Sequence, residues 1–487
     1  MGKTDTGRSK GLALLLLASA QFIVVLDASI VNVALPSIGR DLDFAQDNLS
    51  WVITAYTLTF GGFLLLGGRL ADLLGRRRIF IAGAVLFALA SLAGGLAQSD
   101  LQLIAARAVQ GLGAALISPA ALSIVTTTFA EGSERNKALG VWGAVAGSGG
   151  AVGVLAGGVL TDSLGWEWVL FVNVPIALAA ALLAPRLLDE SGDERATTFD
   201  VPGAVSVTAG LAILVYALVD GEQAGWGSTQ TLVLLPLALV LLAIFIFIES
   251  RSSSPLMPFS IFRLPTLRGA NIVGLLVGMS LFSMFFFISL YLQQVLGYEP
   301  LKAGLSYLPL SAAIITSAGV ASQLVTRVGF KPTLIAGMLF TGVGLLWFSQ
   351  VSAGGTYVGD VLFPSLLVAV GLGFSFVSVT IGAVTGVRPD QAGLASGLIN
   401  TNQQVGGALG LAITATIANS VTAGAFEAGE RSRIVALTEG FQDAFLACAG
   451  IALLGAILAA TLISSRDSRE HAESARSGDA QAVPAAG

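Results

Sequence analysis

The chain has little charge and almost none of the residues that bind metals or form disulfides. Of its 487 residues 11% are charged, and it holds one cysteine, Cys448, and one histidine, His471. A lone cysteine in an apolar run excludes a disulfide framework within the chain, and no His, Cys or carboxylate cluster has the spacing of a metal site. A phosphate-binding G-x-x-x-x-G-K-[ST] loop is also absent. These absences argue against a membrane enzyme or an ATP-driven pump, and we expect no cofactor and no metal.

Long apolar segments are what the chain has instead. Hydrophobic residues make up 54% of it, and the mean hydropathy is +0.82, far above that of soluble domains. Apolar runs of about 20 residues predict membrane-spanning helices, whereas a barrel would show short alternating strands. The predicted spans are fourteen, at residues 12–35, 51–70, 79–97, 102–128, 138–160, 166–187, 201–219, 231–248, 268–292, 303–325, 333–351, 357–386, 395–421 and 441–464.

The start of the chain imitates a signal peptide. Three basic residues precede the apolar run 11–17, and Ala18-Ser19-Ala20 is similar to a cleavage site. The apolar run continues to Leu35, however, which is the length of a spanning helix. We therefore expect a first span here and not a removed leader.

Basic residues predict the orientation of the spans. With the N-terminus inside, the inner segments hold 20 of the 25 Lys and Arg residues, the outer loops hold 4, and Arg107 lies within a span. Basic residues prefer cytoplasmic loops, so both termini are predicted to be cytoplasmic. Few lysines beside many Ala, Gly and Arg suggest a GC-rich bacterial genome and thus the bacterial inner membrane. The net charge of -5 argues for no nucleic-acid partner.

Two ionisable residues lie inside apolar spans without a charged neighbour. They are Asp27, in the stretch Phe22 to Ile30, and Arg107, in the stretch Leu103 to Leu116. By helix rise, Asp27 lies about 14 Å from Pro36 and Arg107 about 9 Å from Leu101, both counted from the outer side. A charge at membrane depth is expensive and is by default a functional hypothesis. One acid and one base suggest a proton-responsive carboxylate beside a fixed cation.

The loop between spans two and three carries a recognisable pattern. Gly68-Arg69-Leu70-Ala71-Asp72-Leu73-Leu74-Gly75-Arg76-Arg77-Arg78 resembles the G-x-L-a-D-r-x-G-r-r-r loop of the major facilitator superfamily, with Leu73 where arginine is common. The resemblance implies a cytoplasmic gate. Its members would be Gly68, Asp72, Gly75, Arg76 and Arg77.

Three further patterns resemble the fourteen-span drug:proton antiporters of that superfamily. Span one has Leu26-Asp27-Ala28-Ser29-Ile30-Val31-Asn32-Val33-Ala34-Leu35-Pro36, and residues 166–175 are similar to W-r-W-x-f-x-i-N-x-P with Glu167 in place of arginine. Span five carries the antiporter glycine pattern, with Val154 where proline is usual, at Gly140, Gly149, Gly153, Gly157 and Gly158. Glycines at steps of four allow close helix packing, and in the family this stripe opposes proton leakage.

The resemblance implies an all-α integral membrane protein with the major facilitator fold. We expect two six-helix bundles, at 1–188 and 263–465, joined by a linker at 189–262 with two extra transmembrane helices. The polar, Ala- and Ser-rich tail 466–487 is predicted to be disordered.

The resemblance also implies a proton-coupled antiporter that exports lipophilic drugs, antibiotics or biocides by alternating access. Asp27 would carry the proton, with Arg107 balancing its charge. The partners would be protons, a lipophilic small molecule and the bilayer, and we expect a monomer. An importer or facilitator of a small metabolite is the alternative within the superfamily, against which the glycine pattern and Asp27 argue.

Aromatic and neutral polar residues of the spans are candidates for the lining of a substrate cavity. Because Arg107 opposes Asp27 and the second half has no mid-span acid, neutral or monovalent cargo is favoured. For each candidate singly, packing within the core is an equal alternative. The candidates are Gln21, Asn32, Trp51, Tyr56, Gln110, Trp142, Phe282, Phe286, Tyr291, Asn400, Gln403 and Gln404.

Overall fold

The computed structural model describes residues 3–44, 49, 51–191, 200–252 and 255–477, and within these residues it is helical without a β-strand. In chain order the α-helices are α1 (Lys3–Asp41), α2 (Trp51–Leu74), α3 (Arg76–Gly95), α4 (Asp100–Thr128), α5 (Ser133–Leu164), α6 (Trp168–Phe171), α7 (Asn173–Leu187), α8 (Val201–Ala224), α9 (Thr229–Arg251), α10 (Pro265–Leu290), α11 (Pro300–Ser306), α12 (Leu308–Val328), α13 (Phe330–Phe348), α14 (Phe363–Val384), α15 (Ala392–Glu427), α16 (Arg433–Leu462) and α17 (Ser465–Ser477). Short π-helical segments, Tyr291–Val295 and Tyr357–Leu362, adjoin α10 and α14.

The predicted count of fourteen spans is confirmed. Among the described residues, thirteen segments are long and apolar enough to cross a membrane, and α5, bent by 44° between Ser133–Gly150 and Val152–Leu164, makes the fourteenth. The bend arises without the proline that Val154 replaces. One span, Trp168–Leu187, is interrupted at Val172, between α6 and α7. The chain is thus a multi-pass membrane protein.

The helices form two bundles with a helix pair inserted between them in sequence. In the first bundle α3 and α2 pack on α4, and α1 packs on α5; in the second α13 packs on α14, and α10 on α15. The bundles meet where α5 contacts α12 and where α2 contacts α15. Helix α8 contacts both α2 and α15, and α9 packs on α8. Most side chains of α9 are exposed on the outside, as expected for a helix that faces lipid.

The tail differs from the predicted disorder over residues 466–477, which belong to α17; residues 478–487 lie outside the described part. Helix α17 buries His471, Ala472 and Ala475 against the bundle. The hydroxyl of Ser468 accepts a 3.0 Å hydrogen bond from the backbone N–H of Lys331. The polar composition of the segment misled the prediction, because the few small residues that dock lie on one helical face.

Candidate functional site

Asp27 lies in the interior of the first bundle. Its side chain is 0% exposed, and that of Arg107 is 1% exposed. Helices α1, α2, α3, α4 and α7 each contribute a group to the cluster around it. A carboxylate at such a place needs hydrogen bonds and a counter-charge to remain ionised.

Three side chains hold the two oxygens of the Asp27 carboxylate. Arg107 donates from Nη1 to Oδ2 at 2.6 Å. Gln110 and Asn173 both donate to Oδ1, at 2.8 Å and 2.7 Å. The hydroxyl of Ser91 accepts from Gln110 at 2.6 Å and from Asn173 at 3.4 Å. The acid therefore joins α1 to α4 and α7 through direct hydrogen bonds.

The guanidinium of Arg107 is fixed on three sides. Besides Asp27, it donates to the amide oxygen of Gln110 at 2.6 Å and, through Nε, to the carbonyl of Val52 at 3.0 Å. Its central carbon lies 4.4 Å from the ring centroid of Tyr56, in cation–π geometry. The side chain of Arg107 is buried, and the sequence-predicted contact between Arg107 and Asp27 is present.

Sequence reasoning missed two members of this cluster, Asn173 and Ser91. Asn173 stands in the pattern of residues 166–175, where it was noted for resemblance and not assigned to the site. It is the first residue of α7, directly after the interruption at Val172, and is fully buried. The sequence shows only a polar residue within an apolar stretch, whereas its burial and the helix break are visible in the structure alone. Ser91 lies on α3 among small residues and carried no signal.

A cavity lies between the two bundles and holds about 780 Å³, counting its space open to solvent. Among its described lining residues none is charged, and most are apolar. Both bundles contribute to its wall. Its aromatic and polar lining residues are Phe60, Trp142, Phe282, Phe376, Gln21, Thr380, Asn400, Gln403 and Gln404.

Half of the candidate cavity residues therefore line the cavity, namely Gln21, Trp142, Phe282, Asn400, Gln403 and Gln404. Tyr56 and Gln110 lie instead in the Asp27 cluster.

The other four candidates lie outside the described cavity wall. Trp51 stacks on Tyr216 of α8, with 5.5 Å between the ring centroids. Asn32 is exposed, and Phe286 is 38% exposed. Tyr291 is buried and donates to the carbonyl of Ser352 at 2.8 Å. Hydropathy placed these residues within the spans but did not indicate which face of each helix meets the cavity.

Asp72 joins the two bundles at the end that also carries Asn136 and α17, called here the Asp72 end. Its carboxylate pairs with Arg76 at 2.7 Å. It also accepts hydrogen bonds from the backbone N–H groups of Gly393, at 3.0 Å, and Leu394, at 2.9 Å. The sequence-predicted gate thus contacts the N-terminal region of α15 in the second bundle.

The other residues of the predicted gate also lie at the Asp72 end. A Cβ at Gly68 would lie 2.5 Å from the carbonyl oxygen of Gly393, so only glycine fits this approach. Gly75 has a φ of 104°, which favours glycine. Arg77 lies 3.6 Å from Glu190, an acid that the sequence pattern did not single out.

The five glycines of span five face two different partners. Gly149, Gly153 and Gly157 lie against α1: a Cβ at Gly157 would stand 2.6 Å from the carbonyl oxygen of Ile30. Gly140 lies against Ser322 of α12, and Gly158 against Leu301 of α11. The stripe therefore brings α5 close both to the helix that carries Asp27 and to the second bundle.

Comparison with known proteins adds the following. Residues 17–411 match the family model described as Major Facilitator Superfamily. The chain is 41% identical over 470 residues to the puromycin resistance protein pur8 of Streptomyces alboniger, covering 95% of this chain and 92% of that protein. It is 40% identical over 467 residues to the cephamycin export protein CmcT of Amycolatopsis lactamdurans, covering 95% and 94%. The crystal structure of the human organic anion transporter MFSD10 (TETRAN) shares the fold, with a TM-score of 0.67 at 16% identity over 92% of this chain and 98% of that one.

Proposed function

This chain is a member of the Major Facilitator Superfamily, and we propose that it exports lipophilic small molecules, antibiotics among them, in exchange for protons. Two relatives at 40% identity or more carry the names of puromycin resistance and cephamycin export. The observation that carries the proposal is the buried Asp27–Arg107 pair beside, but outside, an uncharged cavity. Separate proton and cargo sites on neighbouring faces of one helix allow such an exchange.

The link between the two sites is helix α1. Asp27 is on this helix, and so are Val24, Val25 and Ala28, which line the cavity. Protonation of Asp27 removes the counter-charge of Arg107 and weakens the strongest polar contact between α1 and α4. A shift of α1 then changes the cavity wall directly. Proton uptake and cargo release are coupled in this way without a shared ligand.

The side chains that line the cavity support lipophilic small molecules as the cargo. Trp142 and Phe282 offer aromatic faces, while Asn400 and Gln404 offer neutral donors and acceptors. Such a surface binds lipophilic molecules and fixes them by a few hydrogen bonds. Because no described lining residue is charged, neutral or monovalent cargo is favoured over dications.

Alternating access requires contacts that open and close at each end of the bundles. The hydrogen bonds from Gly393 and Leu394 to Asp72 close the Asp72 end. The distribution of basic residues supports a cytoplasmic location of this end and of both termini. The bacterial relatives support the bacterial inner membrane as the location. We further propose that one chain is the transporting unit, since the cavity lies within it.

Efflux in a bacterial host that lacks its own drug pumps tests the proposal. Cells with the wild-type chain should resist puromycin and accumulate less ethidium than cells with Asp27→Asn. Asp443→Asn is the matched control, because Asp443 is an exposed acid of α16, a helix that contributes nothing to the Asp27 cluster. Collapse of the proton gradient should raise intracellular ethidium in wild-type cells. A fall would instead indicate an importer, and full proton-coupled efflux by Asp27→Asn would refute the assigned role of the carboxylate.

A further inference from the structure

One polar atom of the Asp27 cluster has no hydrogen-bond partner among the described residues. It is the amide oxygen Oδ1 of Asn173, which is buried. The amide nitrogen of the same side chain donates to Asp27 and, over a longer distance, to Ser91. A buried acceptor without a donor is uncommon in a folded protein and calls for an explanation.

The other amide of the cluster has no such spare acceptor. The oxygen of Gln110 accepts from Arg107 at 2.6 Å. Its nitrogen donates to Asp27 and to Ser91. Both ends of Gln110 are therefore engaged while the carboxylate is ionised.

Protonation of Asp27 changes what its oxygens require. The ionised carboxylate only accepts hydrogen bonds, whereas the acid has one O–H group that must donate. Arg107 and the amide nitrogens of Gln110 and Asn173 are donors and cannot receive that proton. The terminal torsion of asparagine is roughly two-fold, so half a turn of the Asn173 amide brings its free oxygen to the place of its nitrogen.

We propose that Asn173 is a positioning residue that serves Asp27 in both protonation states. Its nitrogen donates to Oδ1 of the ionised carboxylate. When Oδ1 binds a proton delivered by water, the amide turns and Oδ1 of Asn173 accepts the new O–H. The inference rests on the proposed exchange of protons and identifies the group that gives a fully buried acid a suitable hydrogen-bond partner in both of its protonation states.

The groups that face Asp27 leave this role to Asn173. Among the described residues the charged or titratable ones are Arg107 of α4 and Tyr56 of α2, and the hydroxyl of Tyr56 donates to the carbonyl of Val24 at 3.1 Å. Helices α3 and α7 contribute the neutral Ser91 and Asn173. Helix α5 packs on α1 through glycines.

Infrared spectroscopy of the purified full-length protein tests the inference without any cargo. A pH titration should reveal the C=O stretch of a protonated carboxyl group that is missing in Asp27→Asn. In Asn173→Leu this band should move to higher frequency, because the acid loses its acceptor. In Asn173→Asp, which keeps the shape of the side chain, the second carboxylate should raise the pH midpoint of the band by about one unit or more.

Asn271→Leu is the matched control. Asn271 is a buried asparagine of α10 that donates to the carbonyl of Leu267 at 2.9 Å and does not contact Asp27; its band should equal that of wild type. An unchanged band in both Asn173 variants would overturn the inference while leaving the proposed function intact. If the wild-type protein shows no C=O band of a protonated carboxyl group, and Asp27→Asn still performs proton-coupled efflux, the proposed function is instead overturned. If Asn173→Leu does not fold, the pH midpoint of the band in Asn173→Asp provides the test of the inference.

Discussion

His471 lies 3.0 Å from Asn136, with its ring nitrogen Nε2 facing the amide oxygen of a residue 335 positions earlier. The neighbouring Thr326 determines the direction of this hydrogen bond. Its hydroxyl donates to the carbonyl of Ser322 at 2.9 Å, so its oxygen accepts from the amide nitrogen of Asn136 at 3.0 Å. The Asn136 oxygen is left to accept, and His471 donates as the neutral Nε2–H tautomer. The tail helix is thereby bound to the first bundle.

Acidification should release the tail helix. Burial lowers the pKa of His471 below its ordinary value, with Arg135 acting in the same direction and Glu131 in the opposite one. The stabilisation of the docked helix is complete above the usual histidine pKa of about 6.5 and is lost as the pH falls through the lower pKa of the docked state. Hydrogen exchange of residues 465–477, corrected for its intrinsic pH dependence, should be protected at about pH 7.5 and much less so at about pH 5.

His471→Asn is the control for this prediction, because it keeps a donor but does not titrate. Its protection should vary little with pH. Equal protection of the wild-type tail at both pH values would contradict the assigned role of His471.

Asp72→Asn should loosen the contact between α2 and α15. The change removes the negative charge of Asp72, which pairs with Arg76. The same charge strengthens the hydrogen bonds that Asp72 accepts from Gly393 and Leu394, so these bonds become weaker in the variant. Hydrogen bonds to charged groups contribute about 1.5–3 kcal/mol, so opening of the Asp72 end should become roughly tenfold more frequent or more.

Maleimide labelling of Ser396→Cys in a Cys448→Ala background measures this opening. Ser396 and Cys448 are both fully buried. Labelling from the Asp72 end should speed up in the Asp72→Asn variant. Arg431→Gln, in the loop before α16, serves as a control charge change. Equal labelling rates in the wild-type and Asp72→Asn backgrounds would show that Asp72 does not hold α2 against α15.

Gly153→Ala should destabilise the packing of α5 on α1, whereas Gly150→Ala should not. A Cβ at Gly153 would clash with Ser29 and stand 2.7 Å from the carbonyl oxygen of Leu26, while a Cβ at Gly150 has nothing within 4 Å. Overpacking of this kind costs about 1–3 kcal/mol. Thermal unfolding in detergent should show a lower midpoint for Gly153→Ala alone. Equal midpoints of the two variants would show that the close approach is not needed.

A new acid in the cavity should widen the range of cargo towards dications. Gln404 lines the cavity between the bundles, and Gln404→Glu supplies the counter-charge that the wild-type wall lacks. Inhibition of ethidium efflux by a divalent lipophilic cation should strengthen at least about tenfold relative to a monovalent analogue. Gln350→Glu, at an exposed position after α13, should leave the ratio unchanged. No change in Gln404→Glu would mean that cargo does not reach this side chain.

Much of the fold was predictable because its signals are local. Hydropathy over about 20 residues predicted every span, and the pattern around Asp72 implied, by its resemblance, a cytoplasmic gate without indicating its partners. The positions of Tyr56 and Gln110 were harder to predict. Both are polar residues on apolar spans, and hydropathy does not distinguish a face that meets a cavity from one that meets Arg107.

The tail was predicted to be disordered, but part of it forms a docked helix. Residues 466–477 have the composition of a disordered segment, and their helix is held by a few contacts with Lys331, Asn136 and Gly132. These partners are more than a hundred residues away. Composition averaged over a window cannot report a docking site that exists only when both bundles are folded.

By itself the sequence determined the membrane location, the number of spans, the glycines that allow close packing and the two charges that must be compensated. Tertiary structure decided which groups compensate these two charges. The carboxylate of Asp27 meets Arg107 and Asn173, which are 80 and 146 residues away in the chain, because α1, α4 and α7 pack side by side. Helix periodicity limits which face a residue occupies, but the partner of that face depends on the arrangement of all the helices, and this is why Asn173 emerged only from the fold.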